Sequence, residues 1–344
     1  MGMFDHWQPM VPSHKLRRRG IAAVKLAGKE IALFRTESGQ VAALDEECPH
    51  RRMKLSLGQV LGERLMCKYH GWTFGCDGMG ESPGTPKMQA CASTWDAQEA
   101  QGYIWVKSKQ SNPAFPKFDL DGWCWMCNTE HIAHAPLEVT MDNFCEIEHT
   151  PTTHNIFGYQ LDAMKDVTVR FETTDDSVKT TNLGMPKRMN FLLRYLIGIK
   201  KNHVFRSAWY TYFSPCYLVT DHTWLDPNTG DEAHVKWRVY IFFTPVSATE
   251  TRVTSFTFAK SRWRIGPNGG LRLFRGLMRR KVAHEINLDV TILDGLARYD
   301  THLQGMKLSR FDKALMFNRE RIETIYRGNR ATKPERELEF AGQE

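Results

Sequence analysis

Cys48-Pro49-His50 and Cys67-Lys68-Tyr69-His70 form a C-x-H…C-x₂-H pattern with sixteen residues between its halves. Each half offers one thiolate and one imidazole, so the set is two sulfurs and two nitrogens. Two chemistries use such a set: a tetrahedral structural zinc, and a [2Fe-2S] centre in which two histidines replace two cysteines on one iron. Zinc fingers generally pair cysteine with cysteine and histidine with histidine. Here each half mixes the two, which lets both cysteines hold one iron and both histidines the other. The spacing therefore favours the iron–sulfur cluster.

Outward from this pattern the first 110 or so residues read as β-rich. Ile21–Leu26, Glu30–Arg35 and Val41–Leu44 are short β-prone runs separated by Gly28 and Ser38-Gly39. Gly71–Phe74 and Tyr103–Val106 read as further strands, with Asp77-Gly78 as a turn. Ser108–Pro116 is the candidate boundary, and the expected domains are 1–112 and 113–344. Beyond it, Pro136–His154 reads as partly helical. Val167–Phe171, Ser207–Phe213, Val235–Thr244 and Thr251–Ala259 resemble strands of an antiparallel sheet. Gly269–Asp294 reads as a helix carrying Leu271, Leu273, Leu277, Ile286 and Val290. Residues after Leu308 read as helical, and Arg327–Glu344 is expected to fray. The fold class is α+β: an all-β domain followed by a larger mixed one.

Composition narrows the function. The chain has 344 residues, 46 Lys plus Arg against 39 Asp plus Glu, and a net charge of +7. No basic stripe on a recognisable module is present, so nucleic-acid binding is not expected; a mildly basic surface suits an acidic electron carrier instead. Eight cysteines are too sparse for a disulfide scaffold. No apolar run approaches the roughly 20 residues that span a bilayer, and Met1–Met10 lacks a signal-peptide core. A cytoplasmic protein without membrane association is the expectation.

The ligand pattern extends through Cys48-Pro49-His50-Arg51 and Cys67-Lys68-Tyr69-His70-Gly71-Trp72 to Asp77-Gly78, and so resembles the Rieske family. Lys68 stands where proline is usual. The resemblance implies two loops at the tip of a small β-domain clamping a [2Fe-2S] cluster through Cys48, His50, Cys67 and His70. Respiratory Rieske subunits and free-standing Rieske ferredoxins would share this signature, so the rest of the chain must discriminate.

Asp142-Asn143-Phe144-Cys145-Glu146-Ile147-Glu148-His149-Thr150-Pro151-Thr152-Thr153-His154 places two histidines five apart among acidic and amide groups. Alone, such a pair is weak evidence. After a Rieske motif it matches the demand of an oxygenase for Fe(II) held by two histidines and one carboxylate, with positions open for O₂ and substrate. The chain thus resembles Rieske non-heme iron oxygenases, terminal component, of the vanillate and dicamba demethylase and monooxygenase type. The resemblance implies a helix-grip (START-like) catalytic domain and Asp289 as third ligand. Asp294 is the runner-up ligand, better suited to a supporting role. It also implies that Glu146, or its competitor Glu148, bridges the two metal sites between neighbouring subunits of a homotrimer. Asp142 and Asn143 belong to the same catalytic segment.

The implied activity is hydroxylation or oxidative demethylation of an aromatic or largely apolar organic substrate with O₂. Electrons from NAD(P)H would arrive through a separate reductase, directly or by way of a ferredoxin, since no G-x-G-x-x-G fingerprint is present. The alternative is a Rieske electron-transfer protein without oxygenase activity. Cys124-Trp125-Met126-Cys127 reads as packing rather than a redox pair. Lys187–Lys201 reads as a lid, a membrane-surface helix or a packed helix with basic ends, and Arg262–Lys281 has a similar basic character.

Overall fold

The computed structural model describes residues 2–262 and 267–329. The chain divides into two compact units, Met1–Pro116 with Thr244–Ala248, and Lys117–Phe243 with Thr249–Glu344. Residues 263–266 of the basic stretch, and the tail from residue 330 on, lie outside the described residues.

In the first unit, β1 (Gln8–Pro12), β2 (Ile21–Leu26), β3 (Lys29–Arg35) and β4 (Val41–Asp45) precede a run of short strands. These are β5 (Gln59–Leu61), β6 (Arg64–Met66), β7 (Thr73–Phe74), β8 (Met79–Glu81) and β9 (Ala90–Cys91); β10 (Thr94–Ala100) and β11 (Tyr103–Ser108) follow. Among the described residues they form one sheet in the order β1-β11-β10-β4-β3-β2 and a second running β5 to β9. The Lys29–Arg35 run is apolar on both faces, because both are covered. Ala32 and Phe34 meet Val60, Leu65 and Phe74 of the second sheet. Ile31 and Leu33, pointing the other way, meet Met10, Ile104 and Val106.

The second unit is built on β12 (Cys124–Ala133), β13 (Thr168–Thr173), β14 (Ser177–Gly184), β15 (Val204–Phe213), β16 (Cys216–Leu225), β17 (Val235–Ser247) and β18 (Glu250–Ser261). They order as β12-β18-β17-β16-β15-β14-β13. The helices are α1 (Leu137–Phe144), α2 (Thr150–Thr153), α3 (Phe191–Ile197), α4 (Arg275–Asp294) and α5 (Lys313–Arg321). Helix α4 lies against β12, with α1 beside it.

Two helical expectations need correction. The segment read as one helix from Gly269 is a 3₁₀ stretch, Pro267–Phe274, followed by α4 from Arg275. Of the apolar residues named on it, Leu271, Ile286 and Val290 are buried and Leu273 and Leu277 exposed; α4 also buries Val282, Glu285, Asp289 and Leu293. In Lys187–Lys201, α3 is capped by Asn190, whose side chain accepts from the Leu192 N–H, and ends at Gly198 with φ 82°. Phe191, Leu192 and Tyr195 are exposed, so a packed helix does not describe it. Cys124 and Cys127 are buried, and burial pushes the Cys127 thiol up to about 11, as packing residues require. No helix among the described residues is long and apolar enough to cross a membrane.

Candidate functional site

The loops β4–β5 and β6–β7 carry the first ligand set, and the backbone folds them alike. Cys48 N–H donates to Met53 C=O at 2.9 Å, and Arg52 N–H returns to Cys48 C=O at 2.8 Å. Cys67 N–H donates to Trp72 C=O at 2.7 Å, and Gly71 N–H returns to Cys67 C=O at 3.1 Å. Each loop therefore spans the same six residues, and its fifth residue has positive φ: 56° at Arg52 and 71° at Gly71. Such a turn suits glycine, which explains Gly71 and makes Arg52 the strained counterpart.

The folded loops bring the four side chains together. Cys48 and Cys67 are buried in the core between the sheets. The His50 and His70 rings lie 4.5 Å apart between centroids, and Trp72 stacks on His50 at 4.6 Å. Burial pushes the Cys48 thiol up to about 11; hydrogen bonds from the His50 and Arg51 N–H groups oppose this, and Cys67 reinforces it. Two adjoining buried sulfurs cannot both ionise without a cation to neutralise them. Sulfurs inside and imidazoles beside them fit a cluster with one iron on each pair.

The second ligand set assembles where α2 meets α4. His149 and His154 flank α2 as its two caps, and Asp289 enters from the buried stripe of α4. The Nε2 atoms of the two histidines are 3.1 Å apart. Asp289 Oδ1 is 3.2 Å from His149 Nε2 and 3.4 Å from His154 Nε2. Neighbouring ligands at bonds of about 2.1 Å would be about 3.0 Å apart on an octahedron and about 3.4 Å on a tetrahedron. The three atoms are thus spaced as the ligands of one ion would be, and three protein ligands would leave positions open.

Carboxylates stand behind both imidazoles. Glu146 accepts from His149 Nδ1, and its other oxygen from the Glu148 and His149 N–H groups. Glu285 Oε2 lies 3.2 Å from His154 Nδ1 and is held by Asn155 N–H at 3.0 Å. Each imidazole therefore turns its Nε2 toward the shared centre. Burial pulls both histidines down, but the carboxylates prevail. His149 is pushed up to about 10 by Asp289 and Glu146, and His154 to about 9 by Asp289 and Glu285. A centre surrounded by this much negative charge fits a divalent cation.

Other residues take supporting places. Asn143 Nδ2 donates to Asp289 Oδ1 at 3.1 Å, while Asp142 faces away and pairs with Arg319, whose Nε is 2.9 Å away. Glu148 is exposed. Asp294 is exposed and accepts from the His134 N–H, so the supporting position expected of it belongs to Glu285. Lys187 donates to the carbonyls of Thr150, Pro151 and His154, closing the end of α2. Sequence reasoning missed Glu285 and Lys187. Glu285 had a signal: it shares an i, i+4 face with Asp289, and two carboxylates on one buried stripe are costly unless paired.

A cavity of about 740 Å³, mouth included, opens beside the three ligands. Its walls are mainly apolar and aromatic, with Phe144, Phe157, Phe205, Trp209, Leu218 and Ile241 among them.

Residues 6–95 match the family model of the Rieske [2Fe-2S] domain. Residues 133–327 match that of the vanillate O-demethylase oxygenase C-terminal domain. A Rieske domain joined to such a domain defines the class of Rieske oxygenase alpha-type chains. Because the second model covers more than half of it, this chain belongs to the vanillate O-demethylase oxygenase C-terminal domain family.

The chain is similar to chlorophyllide a oxygenase of Chlamydomonas reinhardtii, 31% identical over 159 residues (44% of this chain, 25% of the relative). It is also similar to a vanillate O-demethylase oxygenase subunit of a Pseudomonas species, 30% identical over 138 residues (38% and 42%). The chain thus spans only about a quarter to a third of the length of several of the relatives it matches. Its fold is that of dicamba monooxygenase bound to 3,6-dichlorosalicylic acid, with a TM-score of 0.77 at 17% identity, covering 94% of this chain and 97% of that one.

Proposed function

We propose that the chain is the terminal oxygenase component of a multicomponent Rieske oxygenase. Its reaction would be hydroxylation or oxidative demethylation of an aromatic or largely apolar substrate. The observation that carries this reading is the convergence of His149, His154 and Asp289 within 3.1–3.4 Å beside an apolar cavity, in a chain that also holds a Rieske domain. When bound, the [2Fe-2S] cluster on Cys48, His50, Cys67 and His70 supplies one-electron transfer, and Fe(II) on His149, His154 and Asp289 supplies O₂ activation.

The chain's own groups do the rest. Glu146 and Glu285 fix the tautomer and direction of the two imidazoles, and Asn143 steers Asp289. The aromatic walls exclude water and hold an apolar substrate beside the open coordination positions. Asp142, paired with Arg319, anchors α1 below Asn143. The electron donor is a separate NAD(P)H-dependent reductase, alone or through a ferredoxin.

Two further points belong to this reading. The homotrimer, with Glu146 at its interface, rests on the family resemblance. A cytoplasmic setting is supported by eight cysteines of which none forms a disulfide, as expected in a reducing compartment. An electron carrier alone would leave the His149, His154 and Asp289 centre and its cavity without a role.

The test is reconstitution with a reductase and ferredoxin, screening aromatic methyl ethers and apolar ring compounds under ¹⁸O₂. The reading expects substrate-dependent NAD(P)H consumption and oxidised product, with ¹⁸O retained in hydroxylated compounds. A chain whose cluster cycles between redox states, with no product from any compound, would favour the carrier.

A further inference from the structure

His222 is a partly buried polar group on the wall of the apolar cavity that the metal centre does not use. It sits on β16 directly opposite Ser207 of β15, and its Nδ1 lies 3.1 Å from Ser207 Oγ. Trp209, two residues along β15 and so on the same face, donates its indole N–H to that Oγ. The rings of Phe157 and Phe205 stack on the imidazole at 4.8 and 5.5 Å and fix its plane.

This chain of contacts sets the tautomer. An indole N–H can only donate, so it occupies an acceptor site on Ser207. His222 Nδ1 is the one acceptor within reach of the Ser207 hydroxyl among the described residues, so the serine hydrogen goes to it and the imidazole carries its own proton on Nε2. Burial, with a smaller push from His154, pulls the imidazole down to about 3, which keeps the ring neutral. The Nε2 edge is opposite the serine, and covering its N–H with an apolar ligand that offers no acceptor is costly.

We propose that the His222 Nε2–H is the polar anchor of the cavity, donating a hydrogen bond to a carbonyl or ether oxygen of an otherwise apolar substrate. The inference rests on the reading of this cavity as the substrate site and narrows that reading to acceptor-bearing compounds. Discrimination follows because an apolar isostere leaves the donor stranded, whereas the oxygen compound satisfies it.

The test uses the iron-loaded full chain and two probes of equal shape, benzophenone and 1,1-diphenylethylene, which differ by C=O against C=CH₂. Affinities come from calorimetry. The nitric oxide adduct of the ferrous centre, followed by electron paramagnetic resonance, reports whether each probe lies beside the metal. Wild type is expected to prefer the ketone about tenfold, the worth of one hydrogen bond. His222→Leu abolishes the preference while still binding the hydrocarbon, and His222→Gln, which keeps an N–H donor, retains part of it. Equal affinities in wild type, or a preference that survives His222→Leu, overturn the anchor. A perturbed nitrosyl spectrum without a preference leaves the substrate-site reading standing and removes the anchor alone. A preference without any spectral change supports the anchor and contradicts the placement of substrate beside iron.

Discussion

Glu285 is the residue whose loss separates ligation from support, because it touches His154 and the Asn155 N–H. Glu285→Ala removes the carboxylate 3.2 Å from His154 Nδ1 and leaves the Asn155 N–H without its acceptor, so the imidazole loses the charge that directs it. Removing such a partner typically costs about 10–100-fold in metal affinity or activity. Iron retained after dialysis against a graded chelator should fall by that order, with Glu285→Gln intermediate. The Rieske spectrum serves as an internal control and should not change. Iron retention equal to wild type in Glu285→Ala would show that Glu285 does not position the ligand.

The turn that carries the histidines depends on a glycine at the element scale. Gly158 has φ 126°, and a Cβ there would come within 2.7 Å of Thr150 Cβ and Oγ1 on α2. Gly158→Ala must therefore shift either its own loop or α2, and α2 holds both histidines at its caps. The expected outcome is a marked loss of mononuclear iron with the cluster intact, measured as iron per chain against the reduced Rieske signal. Full iron occupancy would mean that the loop absorbs the methyl group elsewhere.

How much of this was legible in the sequence also differs by element. Ile21–Leu26, Lys29–Arg35, Val41–Asp45, Tyr103–Ser108, Val235–Ser247 and Glu250–Ser261 are β-prone runs and are read to within a few residues, whereas Cys124–Ala133, Ser177–Gly184 and Cys216–Leu225 are not read as strands. The Cys48–His50 and Cys67–His70 ligands are local, so their spacing identified the chemistry. Glu285, Lys187 and His222 are not local: their partners lie tens of residues away or across a sheet. Their roles come from strand register and helix packing, which no short motif encodes. On the segment from Gly269, Leu271, Ile286 and Val290 are buried as the apolar spacing expects, and Leu273 and Leu277 are not, because a 3₁₀ stretch precedes Arg275.

At the scale of the whole molecule, the proposed homotrimer would let the cluster of one chain serve the iron of a neighbouring subunit. Two inactive chains test this: Cys67→Ser, which loses the cluster, and Asp289→Ala, which loses the mononuclear iron. Co-expressed and purified as mixed oligomers, they should restore product formation, because the intact cluster of one chain can face the intact iron site of the other. If transfer runs within a single chain, the mixtures stay inactive.

The central claim is that one chain holds two different iron centres, and counting metal tests it most directly. Wild type should carry about three irons per chain and give a Rieske-type paramagnetic signal on reduction. Asp289→Ala should carry about two, keep that signal unchanged and form no product. Three irons retained in Asp289→Ala with activity preserved, or zinc in place of iron in the wild type, would contradict the account.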